Sequence, residues 1–435
     1  MLNFYIEPEQ IKLNKLSVGY TDGEYESNDD NFMNMFYKEN HKLDNLRKKD
    51  TFIIAGRKGT GKTVLALYYQ KEEKQKNELL YSAYTKLKDL SLLELIENSE
   101  PITDRKERYN FIIFYLYREI AQVILSEKKS YKSFKKKYGF FNGINLYCRY
   151  LKAFKKMKKT HEVRYNCDPF KLIGRSVTAT NGTKAEFNTE LGKAGSEYTE
   201  QVSEDYQNKK YYEVIEHYKN SIFDILKYCE IIFIIDDFDD YFNMSQDETI
   251  RMMIDFIEVL KDFNLKINQN NNENISKCII LIRDDILDII NSYDGNIEKV
   301  IFDSKITLNW NEKRGRKTLK KMICNKILNS SDEIKTFGYK TIEDIDRAFF
   351  PQKKKGKDQF WDNMTSLTFG RPRDVISLMK IMISQNPQQT KFNFEMLTNA
   401  KIEYSKHLLA ELKNEMNFYR DPKEIDEIFI FFRTN

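Results

Sequence analysis

The chain has 435 residues, of which 41% are hydrophobic and 14% aromatic, with only 16 glycines and 7 prolines. This composition excludes a disulfide-stapled mini-protein, a collagen-like chain and a disordered chain, and it predicts two or three packed units that are largely helical. The net charge is only +5, yet twelve Lys and Arg residues and no acid lie in a basic segment that begins at Lys128 and ends at Lys159. This segment therefore holds the whole positive excess of the chain.

Neither a membrane span nor an export signal is expected. No stretch approaches the roughly 18 uncharged apolar residues that a span needs, and the first ten residues, MLNFYIEPEQ, lack the basic start and apolar centre of a signal peptide. We therefore expect a cytoplasmic protein with reduced cysteines and no membrane partner. A zinc site formed by Cys148, His161 and Cys167 is disfavoured because their spacing matches no standard zinc finger.

Short apolar runs alternate with helical stretches between residues 51 and 310, which predicts an α/β unit with a parallel sheet. The runs lie at residues 51–55, 78–83, 231–235, 278–282 and 306–308. We expect a lead-in at 1–50, an α/β core at 51–310 with a mainly helical insertion at 91–228, and a helical C-terminal domain at 311–435. Within the insertion, Asn181-Gly182 between two alternating arms predicts a β-hairpin at 176–187.

Residues 56–63, GRKGTGKT, match the pattern G-x-x-x-x-G-K-[ST] in full between a predicted strand and a predicted helix. In this glycine loop, consecutive backbone N–H groups and the start of the helix are expected to hold phosphates. Lys62 would contact the β- and γ-phosphates and Thr63 would bind Mg²⁺. A glycine turn without a ligand is the less favoured alternative. The expected nucleotide-binding residues are Gly56, Arg57, Lys58, Gly59, Thr60, Gly61, Lys62 and Thr63.

Two acids, Asp236 and Asp237, directly follow the apolar run at 231–235. A buried strand that ends in acid needs a cation, because an unpaired buried carboxylate is strongly destabilising. We expect Asp236 to hold Mg²⁺ together with Thr63, and Asp237 to be the base that activates water. Asp239 and Asp240 fit solvated or ion-paired side chains better.

Arg283 follows the apolar run at 278–282. Parallel strands end at the same edge of a sheet, so Arg283 is expected near Asp236, as a sensor of the γ-phosphate. The alternative is a salt bridge to Asp237, Asp284 or Asp285. A fourth motif, GRPRD at 370–374, opens an amphipathic helix, and its arginines could serve there as structural residues only.

In this order the four motifs resemble the ASCE branch of P-loop NTPases, close to the AAA+ and STAND groups, which include origin-recognition-type and NB-ARC-type ATPases. More narrowly, the chain resembles bacterial P-loop ATPases that share GRKGTGKT, a strand ending in DD, a strand ending in Arg and a GRPRD helix. The resemblance covers residues 50–75, 230–310 and 315–410. It implies a P-loop NTPase fold, which is α/β with a parallel sheet of 5-1-4-3-2 order, followed by a helical or winged-helix lid.

The same resemblance implies catalytic roles for three arginines. Arg283 would be sensor 1, and Arg371 or Arg373 would be sensor 2, reaching the nucleotide from the lid. One departure concerns Asp237, because most AAA+ motors have Glu there and Asp is one methylene shorter. This difference implies a slow, switch-like ATPase and not a fast motor.

We therefore expect a switch ATPase that binds ATP and Mg²⁺, hydrolyses ATP slowly and regulates a partner or a nucleic-acid transaction. We also expect a homo-oligomer, because the GRPRD helix lies in a helical domain too short to be an independent enzyme. The resemblance implies an effector protein as partner and a setting in bacterial antiviral defence. A DNA-loading or DNA-remodelling AAA+ ATPase and a non-hydrolysing assembly scaffold are the alternatives, and a small-molecule kinase is disfavoured. The basic segment interleaves Lys with Tyr and Phe, which fits nucleic-acid contact, although a lysine run more often forms a solvated helical face.

Overall fold

The computed structural model describes residues 11–39, 41–87, 105–164, 211–238, 247–269, 275–310, 313–352, 358–416 and 422–434. The hairpin predicted at 176–187 lies outside these residues, as do Cys167, Asp239 and Asp240.

Five parallel strands form a single sheet in the spatial order β5-β1-β4-β3-β2, which is the order that the family resemblance implies. The strands are β1 Ile53–Ala55, β2 Leu80–Lys86, β3 Glu230–Asp236, β4 Lys277–Ile282 and β5 Lys305–Thr307. The expectation of an α/β fold with a parallel sheet is confirmed. Strand β2 begins and ends later than predicted, because its last residues, Tyr84, Thr85 and Lys86, do not continue the apolar run.

Both faces of the sheet are covered, as is usual for parallel sheets. Successive side chains of a strand point to opposite faces, and in β3 Ile231, Phe233 and Ile235 enter one core whereas Ile232 and Ile234 enter another. The first core packs against the helices of the insertion and the second against the lead-in and the helix that follows the glycine loop. The continuous apolar runs of the sequence are thus explained by burial on two sides.

The lead-in forms a short 3₁₀ turn at Leu13–Lys15 and three short helices, α1 Gly23–Ser27, α2 Phe32–Met35 and α3 Leu43–Leu46. The helices of the core and its insertion are α4 Lys62–Lys76, α5 Arg105–Ser126, α6 Tyr131–Tyr138, α7 Phe140–Arg164, α8 Tyr211–Leu226, α9 Asp247–Asn268, α10 Asp284–Tyr293 and α11 Gly295–Ser304. No helix in the described part of the chain combines the length and the apolarity needed to cross a membrane.

The described residues after β5 are helical, and they contain no strand. Their helices are α12 Lys313–Leu328, α13 Asp332–Thr336, α14 Ile342–Phe349, α15 Gln359–Leu367, α16 Pro372–Gln385, α17 Phe394–Met416 and α18 Pro422–Thr434. The apolar core of this C-terminal unit also contains Leu13 and Val18 from the lead-in, whereas Phe32 and Leu46 join the second core of the sheet. The lead-in therefore packs against both units of the chain.

Candidate functional site

The glycine loop connects the carboxyl end of β1 to the first turn of α4. Gly59 and Gly61 have φ angles of +79° and +92°, a conformation that side-chain-bearing residues rarely adopt. Gly61 directly precedes Lys62, the first residue of α4. The loop can turn this tightly because these two positions are glycines, and the turn brings the first amides of α4, which have no partner within the helix, to the carboxyl edge of the sheet.

Hydrogen bonds within the loop and from the end of β5 hold it in place. Lys62 Nζ donates to the carbonyl of Gly56 at 2.9 Å, and Thr60 Oγ1 donates to the carbonyl of Arg57 at 2.8 Å. The buried indole of Trp310 donates from Nε1 to the carbonyl of Thr60 at 3.0 Å. The side chain of Arg57 is exposed. The loop is therefore rigidly supported, while the Lys62 ammonium lies across it.

Asp236, at the end of β3, is only 5% exposed and accepts hydrogen bonds from two hydroxyl groups. Thr63 Oγ1 donates to Asp236 Oδ2 at 2.6 Å, and the hydroxyl of Tyr84 donates to the same atom at 2.8 Å. Burial raises the pKa of Asp236, as does the charge of Asp237, while the Thr63 hydrogen bond and Lys62 act in the opposite direction. The Asp236 carboxylate and the Thr63 hydroxyl together offer two oxygen ligands for a hard cation. Such a cation would stabilise the ionised form of the buried carboxylate.

Asp237 has a backbone conformation that is unusual for a residue other than glycine. Its φ angle is +53°, which costs roughly 1–2 kcal/mol for an L-residue. Its N–H donates to Asp236 Oδ1 at 2.8 Å, and its carboxylate lies 3.4 Å from the ammonium of Lys86. The surrounding structure therefore holds Asp237 in a strained conformation at the edge of the sheet.

Lys86 and Glu24 are charged residues of this site that the sequence analysis missed. Lys86 Nζ lies 2.5 Å from Glu24 and 3.4 Å from Asp237, and the hydrogen bond to Glu24 raises the pKa of Lys86. Lys86 is the register partner of Asp236 on the neighbouring parallel strand. The carboxyl ends of β2 and β3 therefore lie at the same edge of the sheet. A correct prediction of where β2 ends would have placed Lys86 beside Asp236. No local pattern marked Glu24.

Helix α1 of the lead-in lies directly on the glycine loop. A methyl group added to Gly23 would lie 3.0 Å from Cβ of Thr63, so only glycine fits this contact without a shift. The hydroxyl of Tyr84 lies 3.4 Å from Glu24, next to its shorter bond to Asp236. The lead-in is therefore part of the site and not only a preceding segment.

Arg371 and Arg373 both contact the glycine loop from the start of α16. Arg371 is buried, pairs with Asp374 at 2.7 Å and donates from Nη1 to the carbonyl of Lys58 at 3.0 Å. The backbone N–H of Arg373 donates to the carbonyl of Gly59 at 3.3 Å. The Arg373 side chain donates to the carbonyl of Thr21 at 3.2 Å and lies 3.4 Å from Glu411. The GRPRD motif thus joins the C-terminal unit to the loop.

Arg283 forms the salt bridge that the sequence analysis gave as its alternative. Its guanidinium contacts Asp285 through Nη2 at 2.5 Å and Nε at 3.0 Å. Asp285 lies in the first turn of α10, and Arg283 is the single residue between the end of β4 and the start of that helix. A role of Arg283 in sensing phosphate stays a prediction.

A solvent-open pocket lies beside the loop, with an empty volume of about 970 Å³ that includes its mouth. One wall is polar and is formed by Lys58, Gly59, Thr60, Gly61, Lys62, Thr63, Asp236, Asp237 and Arg373. The lining also contains Tyr20, Phe36, Tyr37, His41, Met322 and Ile376, which we call the aromatic wall, beside an ion pair of Glu26 with Lys326. Burial lowers the pKa of His41 to about 4, so its ring is neutral at neutral pH. The pocket thus has one charged wall and one largely aromatic wall.

The disfavoured zinc set gains no support. Cys148 is exposed on α7, His161 lies 3.3 Å from the hydroxyl of Tyr218, and Cys167 lies outside the described residues. Over the ranges that the structure describes, no three His, Cys, Asp or Glu side chains cluster as a metal site requires.

Comparison with known proteins finds a relationship for the C-terminal unit. Residues 317–413 match the family described as the FunZ-associated C-terminal helical domain. The matched residues include Arg371 and Arg373 and extend from α12 into α17. A comparison of the chain with curated proteins gives no match. The expectation of a helical C-terminal domain is thus confirmed, and residues 317–413 of that domain are similar to this family.

Proposed function

We propose that the protein binds MgATP in the pocket beside the glycine loop and hydrolyses it slowly, as a switch that passes its nucleotide state to a partner. The observation that carries this proposal is the 2.6 Å hydrogen bond between Thr63 and Asp236, which are 173 residues apart in the sequence. The two residues come from separately predicted motifs, and each was expected at Mg²⁺. Their contact at the carboxyl edge of a parallel sheet supports a P-loop ATPase.

The polar wall fits the phosphates and the metal. Lys62 and the amides of the glycine loop would bind phosphate oxygens, and Thr63 with Asp236 would hold Mg²⁺. When bound, Mg²⁺ would neutralise charge on the β- and γ-phosphate oxygens. Lys62 Nζ now donates to a neutral carbonyl, that of Gly56, and a bond to a phosphate oxygen is stronger because both partners are charged.

The aromatic wall fits a nucleobase. Tyr20 is exposed and Tyr37 is partly exposed, so both rings can meet a base, whereas the rings of Phe36 and His41 are buried and Phe36 stacks on Tyr68. Flat aromatic side chains stack on nucleobases of any sequence, since every base has a π face. The charged residues of the lining therefore suit the phosphates of a nucleotide, and the accessible rings suit its base.

The surroundings of Asp237 support slow turnover. Asp237 would accept a proton from the attacking water, but its carboxylate lies beside the Lys86 ammonium. The Asp237 carboxylate must leave this ion pair before it can orient an attacking water, which slows the reaction. This arrangement favours a switch over a motor. It is also compatible with the alternative of a scaffold that binds ATP without hydrolysing it.

The contacts of the GRPRD motif supply a route from the nucleotide to a partner. Arg371 and Arg373 bond to carbonyls of Lys58 and Gly59, so a change in the loop alters the support of the C-terminal unit. An effector protein in antiviral defence as the partner rests on the resemblance to bacterial P-loop ATPases alone.

Calorimetric titration of ATP in the presence of Mg²⁺ tests the proposal. Lys62→Ala should weaken ATP binding about 100-fold, because it removes the main cation of the polar wall. Lys74→Ala is the matched control, since Lys74 is a half-exposed lysine of the same helix. Unchanged affinity in Lys62→Ala would reject the site. Phosphate release then separates the two functions, because intact binding without turnover selects the scaffold.

A further inference from the structure

The basic segment is not uniform in the structure, since several of its lysines support the fold. Lys129 is buried and donates from Nζ to the carbonyl of Leu80 at 2.8 Å. Lys136 pairs with Glu78 at 2.6 Å, and Lys137 pairs with Glu230 at 2.9 Å. These lysines tie α6 and the residues just before it to the amino-terminal ends of β2 and β3. The cations that face solvent must therefore be sought elsewhere in the segment.

Helix α7 divides the remaining residues of the segment between two faces. Its inner face buries Tyr150, Phe154 and Met157 in the first core of the sheet. Its outer face is exposed and carries residues at helical spacing, namely Phe141, Ile144, Cys148, Arg149, Lys152, Lys155, Lys156 and Lys159. At 1.5 Å per residue, the stripe from residue 141 to residue 159 is about 27 Å long. A stripe that is apolar at its start and basic from Arg149 onward therefore lies on the outside of the insertion.

The start of α7 carries two aromatic rings in solvent. Phe140 is 52% exposed and Phe141 is 85% exposed, with ring centroids 5.4 Å apart in an edge-to-face arrangement. The ammonium of Lys135 lies 5.3 Å from the ring of Phe140. Exposing two adjacent phenylalanines gives up the stabilisation that their burial would provide, so the fold itself does not account for this tip.

We propose that the outer face of α7 binds single-stranded nucleic acid, with phosphates along Arg149, Lys152, Lys155 and Lys159 and bases stacked on Phe140 and Phe141. The charge of this face complements phosphate, because the segment contains no acid, and Lys156, which lies 3.7 Å from Asp224 of α8, is left out of the proposed phosphate contacts. Aromatic rings stack on the exposed bases of a single strand, and cations bind its phosphates. Neither contact depends on the base sequence. An anionic membrane fits less well, since the stripe is apolar only at its tip and an interfacial helix needs an apolar face along its length.

Fluorescence anisotropy of labelled oligo(dT) and oligo(rU), without ATP, tests this proposal independently of the nucleotide pocket. We expect saturable binding whose logarithm falls with the logarithm of salt concentration, with a slope of about −0.7 per phosphate contact. The comparison of the two oligonucleotides distinguishes DNA from RNA. Binding to anionic phospholipid vesicles and to neither oligonucleotide would overturn the proposal, as would no saturable binding to any of the three probes.

Two variants separate the rings from the charges. Phe140→Ala with Phe141→Ala should weaken binding about tenfold or more while leaving the salt slope unchanged. Lys152→Glu with Lys155→Glu should weaken binding and flatten the slope. Phe302→Ala with Lys299→Glu is the matched control, because both residues are exposed on α11, and Phe302 is 76% exposed. All variants change solvent-facing residues, so unchanged melting temperatures are expected. Wild-type affinity in the first two variants would overturn the proposal.

Cys148 gives a local readout, because it is exposed on the same face. Saturating oligonucleotide should slow the alkylation of Cys148 by N-ethylmaleimide, as measured on its peptide by mass spectrometry. Equal alkylation with and without bound oligonucleotide would place the nucleic acid on another surface and overturn the assignment to α7.

Discussion

Asp236 and Asp237 are adjacent in the sequence, but the fold gives their carboxylates different surroundings. Asp236 is buried and accepts from Thr63 and Tyr84, whereas Asp237 is partly exposed and lies beside Lys86. Two carboxylates in different environments can divide two chemical roles between them. The buried one is suited to hold a metal and the accessible one to contact water.

Asp237→Asn should abolish ATP turnover and leave MgATP affinity nearly unchanged, because the amide cannot accept the proton of water. Asp236→Ala should instead remove most of the Mg²⁺ dependence of ATP binding, since it deletes the only carboxylate bonded to Thr63 in the described structure. Phosphate release and calorimetry with and without Mg²⁺ measure the two effects. Wild-type turnover in Asp237→Asn would contradict the assignment of the base.

His41 makes the stability of the protein depend on pH. Burial lowers its pKa to about 4, below its ordinary value of 6.5. The unfolded chain therefore binds a proton between these values that the folded chain does not, and stability falls as pH drops through this window. Between pH 7 and pH 5 the loss from this residue is about 2 kcal/mol.

The His41→Phe variant isolates this contribution. It keeps a ring beside Phe36 and Trp310 and removes the titrating group. Urea unfolding at both pH values should show a free energy of unfolding that declines about 2 kcal/mol less in the variant than in the wild type. Parallel declines in the two proteins would mean that His41 is protonated equally in both states.

Among the secondary-structure elements, the strands of the sheet could be predicted from the sequence, because strands that are buried on both faces consist of continuous apolar runs. Strand β2 was predicted least well, since it lies at the edge of the sheet and its last five residues are only partly buried. Those residues include Tyr84 and Lys86, which the site uses. Asp236 and Thr63 were recognisable from local motifs. Long-range packing brings Glu24 to Lys86 and His41 to the pocket, and no local sequence pattern predicts either placement.

Helices α1 and α12 are joined by a buried ion pair of Glu26 with Lys326. Both side chains are almost fully buried, and Glu26 also accepts from the N–H of Tyr20 at 3.1 Å. Lys326→Met alone should cost about 3–5 kcal/mol, because it leaves a buried carboxylate without its cation. Adding Glu26→Leu should recover most of this loss, as measured by urea unfolding of both single variants and the double variant. Additive losses would show that the two charges act independently.

Across the whole molecule, Arg371 and Arg373 lie where the C-terminal unit meets the loop, but their contacts predict different effects. Arg371 is buried in a pair with Asp374, whereas the Arg373 side chain is partly exposed and lines the pocket. Arg371→Ala should therefore mainly lower the melting temperature. Arg373→Ala should mainly lower turnover, about 10³-fold if its guanidinium meets charge that develops on the γ-phosphate.

Melting curves, phosphate release and size measurements with ATP and ADP separate these outcomes for each variant. The size measurement also tests the expected homo-oligomer, which should change its size with the bound nucleotide. Normal turnover and normal assembly in both variants would assign both arginines to the structure of the α16 N-terminus alone.

The position of β1 within the sheet affects how the chain is made. Strand β1 pairs with β4 on one side and β5 on the other, and the nearer of these in the chain, β4, begins about 220 residues after β1 ends. At translation rates of about 5–20 residues per second, β1 waits roughly ten to forty seconds for its first neighbour. During that time its three apolar residues and the glycine loop emerge from the ribosome without their final supports. Nascent chains that end before residue 277 should therefore bind chaperones and fail to retain ATP.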